Sequence, residues 1–97
     1  MTAFAIVDTK IENAEAYEHY KAIAKPLAES YGGVYRARGG AMEVLESDLW
    51  TPTRIVIVEF PSMEQARKFM VSDAYAPIKE MRRENAQCTV VLVEGAD

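Results

Sequence analysis

The segment Arg54–Phe60 constrains the fold more than any other, because β-branched residues dominate it and both of its faces are apolar. Such a segment predicts a strand in the middle of a β-sheet. The segments Ala3–Asp8 and Cys88–Glu94 are likewise largely apolar on both faces. A sheet that contains three such strands needs apolar cover on both of its sides.

Two helical regions lie between these strands. Residues 13–31 carry apolar side chains at the three-and-four spacing of one buried helix stripe, with Asn13 as the predicted N-cap. The second region begins at Ser62, is interrupted at Ser72-Asp73 and ends near Asn85. Each region has one apolar face, so we expect both to pack on the sheet.

Two shorter extended segments complete the pattern. Val34–Arg38 predicts a second strand, and Met42–Glu46 predicts a short extended piece before the turn-rich stretch around Trp50. The resulting order is strand, helix, two strands, helices, strand. This order predicts an α+β fold of the ferredoxin-like βαββαβ kind, an antiparallel sheet with helices on one face.

Helices on one face leave the other face of this sheet uncovered. We expect one domain across residues 1–97, because a chain of this length buries a single core. Its uncovered strand residues would form an apolar patch larger than monomers usually expose to water. A second copy stacked on that patch would cover it, which predicts a homodimer in the form of a dimeric α+β barrel. A monomer is the alternative.

Charge and cysteine content narrow the range of partners. The chain has 11 Lys and Arg against 15 Asp and Glu, which leaves no broad positive surface for nucleic acid. No apolar run approaches the ~18 residues of a membrane span, and no basic stretch precedes the first apolar residues. The single cysteine, Cys88, cannot close an intrachain disulfide. We therefore expect a cytoplasmic protein that binds neither nucleic acid nor membrane.

Two charged residues bracket the strongest strand and point to opposite faces, because Arg54 and Glu59 are an odd number of positions apart. A carboxylate within a core strand needs a partner or a raised pKa. One interpretation pairs Glu59 with Arg38 or Arg82 for structural reasons. The other predicts a polar pocket in which Arg38, Arg54 or Arg82 binds a carboxylate-bearing ligand and Glu59 accepts a proton.

Arg82 is predicted to face inward from its helix, because it follows Tyr75 and Ile78 at helical spacing, whereas Arg83 turns outward. An inward guanidinium is expected to meet a carboxylate. The ring of Tyr75 suits core packing, and its hydroxyl suits the rim of a pocket.

His19 is the only histidine, so one chain cannot build a two-histidine metal site. It lies on the flank of the apolar stripe of the first helix, where its role is either an exposed spacer or a general base. The chain contains no phosphate-binding glycine loop and no paired cysteine motif. We expect no metal and no cofactor.

Short motifs along nearly the whole chain resemble one protein family. The motifs are Gly32-Gly33, Arg38-Gly39-Gly40, Leu45-Glu46, Trp50 with Pro52, Arg54, Glu59-Phe60-Pro61-Ser62, Ala66, Ser72 with Tyr75, Arg82 and Val93-Glu94-Gly95. Together they resemble the family called domain of unknown function 1330. The resemblance implies the dimeric α+β-barrel fold, whose superfamily includes cofactor-free monooxygenases, haem-degrading enzymes and small-molecule isomerases.

The sequence departs from this family at a few positions. Phe69-Met70 stands where members usually have a Trp-Tyr pair, and Asp73 stands where proline is common. If the aromatic pair lines a pocket, that pocket differs here. His19 does not match the axial histidine of haem-degrading relatives, so we expect no haem.

Two hypotheses of function remain. The first is an enzyme or binding protein that takes a small acidic or carbonyl-bearing molecule between the sheet and the helices; the residues alone leave open whether it catalyses a reaction. Its candidate ligand-binding residues are Arg38, Arg54, Glu59, Tyr75, Arg82 and His19. The alternative is a non-catalytic dimeric module whose charged residues only join helices to sheet.

Overall fold

The computed structural model describes all 97 residues. Four strands and three helices follow one another along the chain in the predicted order. Their bounds are β1 Ala3–Ile11, α1 Ala14–Ser30, β2 Val34–Arg38, β3 Ile55–Phe60, α2 Met63–Val71, α3 Ala76–Asn85 and β4 Ala86–Glu94.

The strands form one antiparallel sheet in the order β2-β3-β1-β4, which is the predicted ferredoxin-like topology. Strand β3 lies inside the sheet, between β2 and β1, as its apolar character on both faces predicts. Strands β1 and β4 pair along their whole length, from Ala3 opposite Glu94 to Ile11 opposite Ala86. Both strands are longer than predicted, because each supplies the backbone partners that extend the other.

Local signals begin the helices where the sequence predicts. The Asn13 side chain accepts a hydrogen bond from the backbone N–H of Ala16 at 3.1 Å and caps α1. The Ser62 hydroxyl accepts from the backbone N–H of Gln65 at 3.1 Å and caps α2. The Gln65 amide does not return to the cap, but donates to the Tyr31 carbonyl at 3.2 Å. It therefore ties the start of α2 to the end of α1.

The predicted extended piece at Met42–Glu46 is wrong. No strand forms between β2 and β3, and all residues from 41 to 51 are exposed. An extended segment needs a neighbouring strand to satisfy its backbone and a surface to bury its side chains. This segment has neither, because β3 returns directly beside β2 and leaves the segment outside the sheet.

The end of this long segment is anchored by one carboxylate. Asp8 accepts hydrogen bonds from the backbone N–H groups of Thr53 and Arg54, at 2.8 and 3.0 Å, and from the Trp50 indole at 2.9 Å. Burial by itself raises the pKa of Asp8, but these hydrogen bonds outweigh it and hold the pKa below its ordinary value. The ionised carboxylate thus positions the beginning of β3, and with it Arg54.

The sheet has an inner face, covered by the three helices, and an outer face. The inner face carries Ala3, Ala5 and Val56, Val58 and Phe60 among its buried residues. We define the outer face by Phe4, Ile6, Val34, Ile55, Ile57, Val91 and Val93. The exposed fractions of Val34, Val91 and Val93 are 44%, 51% and 42%. The outer face is thus apolar and open, as the strand patterns predict.

No helix in the structure combines the length and the apolar character that crossing a membrane requires.

Candidate functional site

A cavity of about 60 Å³ lies between the inner face of the sheet and the helices. At about 30 Å³ per water molecule, this is room for about two waters or one small functional group. Apolar side chains of β1 and β3 form its floor, and helices α1, α2 and α3 supply its other walls. Three arginines, one lysine and four tyrosines add polar groups to these walls; they are Arg38, Arg54, Arg82, Lys21, Tyr17, Tyr20, Tyr35 and Tyr75.

Arg82 is the most deeply buried charged residue of this cavity. It lies on α3 with an exposed fraction of 6%, and its Nε atom has no hydrogen-bond partner. No carboxylate lies within ion-pair distance of its guanidinium. Burial lowers the pKa of Arg82, but the neighbouring Tyr75 and Cys88 raise it above its ordinary value, so the group stays charged. The inward orientation is confirmed, but the expected protein carboxylate is absent.

A β-bulge places Arg38 and Tyr35 on the same side of the sheet. In β2, Tyr35 lies opposite Val58 and Arg38 lies opposite Val56, with a register shift between them at Arg36. Residues three apart in a regular strand face opposite sides, so the extra residue is what brings both side chains into the cavity. The Arg38 guanidinium stacks on the Tyr35 ring at 4.5 Å and donates to the Lys21 carbonyl at 2.7 Å.

A glycine holds open the space that Arg54 occupies. Gly39 has φ +70, and a Cβ placed on it would lie 2.5 to 2.7 Å from the Arg54 guanidinium. Only glycine combines this left-handed backbone with so close an approach. The guanidinium also lies 5.5 Å from the centre of the Tyr17 ring. The Arg-Gly-Gly turn thus positions a second cation of the cavity wall.

Two tyrosine hydroxyls form a hydrogen-bonded pair in the cavity wall. The hydroxyl oxygens of Tyr20 and Tyr75 are 2.8 Å apart. Burial raises the pKa of Tyr20, and the adjacent Tyr75 raises it further, so the phenol stays protonated. The pair therefore has two hydrogens and uses one between its oxygens, which leaves one O–H free to donate to a ligand.

The polar groups of the cavity are almost all donors. Burial raises the pKa of Tyr17 and of Tyr35 as well, so these phenols are neutral at physiological pH. No aspartate, glutamate or histidine lines the cavity. No three metal-ligating side chains come together anywhere in the structure. The cavity can therefore bind and orient an oxygen acceptor or an anion, but its walls contain no carboxylate or imidazole to abstract a proton.

Four of the six candidate residues meet in this cavity, namely Arg38, Arg54, Tyr75 and Arg82. Glu59 does not, because the alternation of β3 directs it to the outer face. There it pairs with Arg36 at 3.3 Å, and not with Arg38 or Arg82 as predicted. His19 is exposed on α1, beside Met81, and does not line the cavity either. Glu59 is therefore wrongly predicted as the proton acceptor of this pocket.

Sequence reasoning missed Tyr35 and Lys21 as wall residues. Tyr35 reaches the cavity only through the bulge, which has no clear sequence signal. Lys21 falls one position after Tyr20 on α1 and pairs with Glu18 at 3.1 Å. Phe69 and Met70 both line the cavity. The departure from the family's Trp-Tyr pair therefore falls on residues of the site.

Solved structures with the same fold span nearly the whole chain. A protein of unknown function from Rhodopseudomonas palustris has 16% identity and a TM-score of 0.75, over 99% of this chain and 83% of its own. SnoaB, a cofactor-independent oxygenase from Streptomyces nogalater, has 9% identity and a TM-score of 0.69, over 99% and 94% of the two chains. A dimeric ferredoxin-like protein of unknown function from Jannaschia sp. has 16% identity and a TM-score of 0.71, over 98% and 100%. At these identities the likeness shows the fold alone.

No match was found among curated proteins. One family model, described as a domain of unknown function, does match, and it covers residues 2–96. The match agrees with the Arg-Gly-Gly turn and the Glu-Phe-Pro-Ser strand end, which the structure places beside the cavity and at the end of β3. The chain therefore belongs to the DUF1330 family.

Proposed function

We propose that this protein binds a small molecule through a carboxylate or carbonyl group in the cavity between the inner face and the helices. The observation that carries the proposal is Arg82, a charged guanidinium with an exposed fraction of 6% and no carboxylate partner. A buried polar group without a partner costs about 1 to 3 kcal/mol, so a ligand that pairs with it gains binding free energy. A ligand carboxylate would supply the missing partner.

The surrounding groups favour an oxygen-rich ligand. The hydroxyl pair of Tyr20 and Tyr75 has one O–H to spare, and the Arg54 guanidinium makes no hydrogen bond or ion pair. Charge-assisted hydrogen bonds from guanidinium to carboxylate are about twice as strong as neutral ones. A carboxylate offers these donors two charged acceptor oxygens, whereas a carbonyl offers one uncharged oxygen.

Binding is favoured over proton abstraction in this cavity. Its walls offer guanidinium, ammonium and protonated phenol groups, and none of these accepts a proton at neutral pH. SnoaB shares the fold and is a cofactor-independent oxygenase, which keeps an oxygenase reaction as a second candidate. Such a reaction would depend here on a substrate that ionises without a protein base.

The alternative of a purely structural module is weaker for Arg82 than for Arg38. Arg38 donates to the Lys21 carbonyl and stacks on Tyr35, so it does join β2 to α1. Arg82 has no equivalent bond from Nε to any element. A structural role alone would leave this buried donor without a partner.

The test is a thermal-shift and calorimetric titration of the protein with benzoate, hexanoate and acetate. The corresponding amides serve as uncharged probes. A ligand present at about 100 times its Kd stabilises a protein by about 2.7 kcal/mol. We expect carboxylates to bind the natural protein and the control Arg67→Met, which changes an exposed arginine of α2. We expect no binding to Arg82→Met.

Two results would contradict the proposal. One is the failure of every carboxylate to bind the natural protein. The other is unchanged carboxylate affinity in Arg82→Met. Tyr20→Phe with Tyr75→Phe gives a finer check, because it removes the hydroxyl pair with its spare O–H and keeps both rings. It is expected to weaken binding about ten- to hundredfold, the worth of one hydrogen bond to a charged group.

We also propose that one domain across residues 1–97 pairs with a second copy through the outer face. Three valines of this apolar face are more than 40% exposed, and one solved relative of the same fold is described as dimeric. Light scattering is expected to give twice the 10.8 kDa of one chain. Ile57→Lys, in the centre of the outer face, is expected to give monomers. Val71→Lys, at an apolar residue of α2 with an exposed fraction of 78%, is the control.

A monomeric mass for the natural protein would refute this assembly.

The single cysteine of the chain, Cys88, fits the reducing cytoplasm that we propose as its location.

A further inference from the structure

A surface groove of about 450 Å³ adjoins the cavity on the side of α3 and β4. The cavity and the groove share three lining residues, Met70, Arg82 and Val90. Arg82 therefore lines both the cavity and the groove. Met70 and Val90 are the apolar residues that line both spaces.

The groove continues the positive charge of the cavity outward. Lys79 and Arg83 line it, and no aspartate or glutamate does. Lys79 lies one helical turn before Arg82, and Arg83 lies one turn after Lys79, because positions three and four apart in a helix are neighbours. Lys79 makes no ion pair, and Arg83 meets Glu80 at 3.6 Å in an exposed contact of low energy. Both cations are thus available to a ligand.

The cavity and the groove differ in size, so they would hold different parts of one ligand. A cavity of about 60 Å³ holds a group of the size of a carboxylate, whereas the groove of about 450 Å³ holds a larger body. A ligand with its head at Arg82 would extend along Met70 and Val90, which line both spaces. Its other end then lies among Lys79 and Arg83.

We infer that the ligand is a dicarboxylate, with one acid group at Arg82 in the cavity and the second at Lys79 and Arg83 in the groove. This inference rests on the proposed function and adds the second anionic group to it. It stands on a buried guanidinium without a carboxylate partner, together with a groove that shares this residue and in which every charged lining residue is a cation.

The experiment compares glutarate, adipate and pimelate with their monoamides by calorimetry. Each monoamide has the length and polarity of its diacid but lacks the second charge. One exposed ion contact is worth about a two- to fivefold gain in affinity, so we expect that preference for the diacid of matching length. Lys79→Gln with Arg83→Gln is expected to remove the preference and leave monoamide affinity unchanged. Lys68→Gln, an exposed lysine of α2 outside the groove, is expected to keep it.

Each outcome separates the inference from the proposed function. Monoamides that bind as tightly as the diacids at every length overturn the inference and leave the proposed function standing. A preference for diacids that survives in the double variant also overturns it, because the second acid group then lies elsewhere. Failure of both diacids and monoamides to bind refutes the proposed function, and the inference falls with it.

Discussion

Replacing Arg82 with methionine is expected to make the ligand-free protein more stable. The natural side chain buries a guanidinium whose Nε has no partner and which meets no carboxylate. Methionine has a similar length, so it fills the space of the aliphatic stem without a cavity. The substitution therefore removes a buried charge and keeps most of the packing.

The structure sets the size of the effect. A buried polar group without a partner costs about 1 to 3 kcal/mol. The cavity has room for about two waters beside the terminal nitrogens, so we take the lower part of this range. We expect the free energy of unfolding to rise by about 1 to 2 kcal/mol, which is roughly 5 to 15 °C in Tm for a domain of this size.

Urea and thermal unfolding of the ligand-free protein measure this change at one fixed protein concentration, because assembly makes Tm depend on concentration. Arg67→Met is the matched control, since it makes the same substitution at an exposed position and is expected to stay within about 0.5 kcal/mol. The opposite result would be a free energy of unfolding that falls by more than about 1 kcal/mol in Arg82→Met but not in Arg67→Met. Arg82 would then stabilise the packing of helix on sheet, and the alternative of a purely structural module would be correct.

Three further predictions test the surroundings of the cavity. Gly39→Ala is expected to lower the free energy of unfolding by about 1 to 2 kcal/mol, because Gly39 has a positive φ and lies against the Arg54 guanidinium. Gly40→Ala is the control, since no atom lies near the position of its Cβ, and it should change little in the same unfolding assay. The pKa of Asp8 is lowered in the folded protein, so ionised Asp8 stabilises the fold fully above its ordinary pKa of 3.8, and this contribution is lost as pH falls through the pKa of the folded state. Asp8→Asn should therefore reduce the loss of stability below about pH 4. An unchanged dependence of stability on pH in this range would contradict the prediction. Ultraviolet titration should find fewer than all 5 tyrosines ionising near pH 10, because burial raises the pKa of Tyr17, Tyr20 and Tyr35. Ionisation of all of them near pH 10 would show that the cavity is open to water.

Regular periodicity predicted most of the architecture and part of the site. The alternation of β3 correctly put Arg54 and Glu59 on opposite faces, and the helical spacing of α3 correctly turned Arg82 inward. Both inferences needed only the period of an element whose position was clear. They identified the inward arginines without any knowledge of the cavity itself.

Irregular backbone caused the errors. Arg36 and Arg38 share a face in a regular strand, but the bulge in β2 separates them, so that Arg36 meets Glu59 and Arg38 enters the cavity. A bulge depends on the pairing partner and leaves no periodic signal in its own strand. The segment after Gly40 failed for a related reason, because residues of moderate β-propensity form no strand without a neighbouring edge.

A second copy that pairs through the outer face cannot supply the missing partner of Arg82. The dimer that we propose forms through the outer face, and the sheet itself separates that face from the cavity. Carboxylates on β1 and β3 follow the same division, since Asp8 and Glu59 lie on the outer side and are already paired with groups of their own chain. Arg82 also lines the groove between α3 and β4, so a molecule that carries a negative charge can reach it from the helix side. The unpaired guanidinium is therefore an argument for a ligand that holds whether or not the outer face is buried in a dimer.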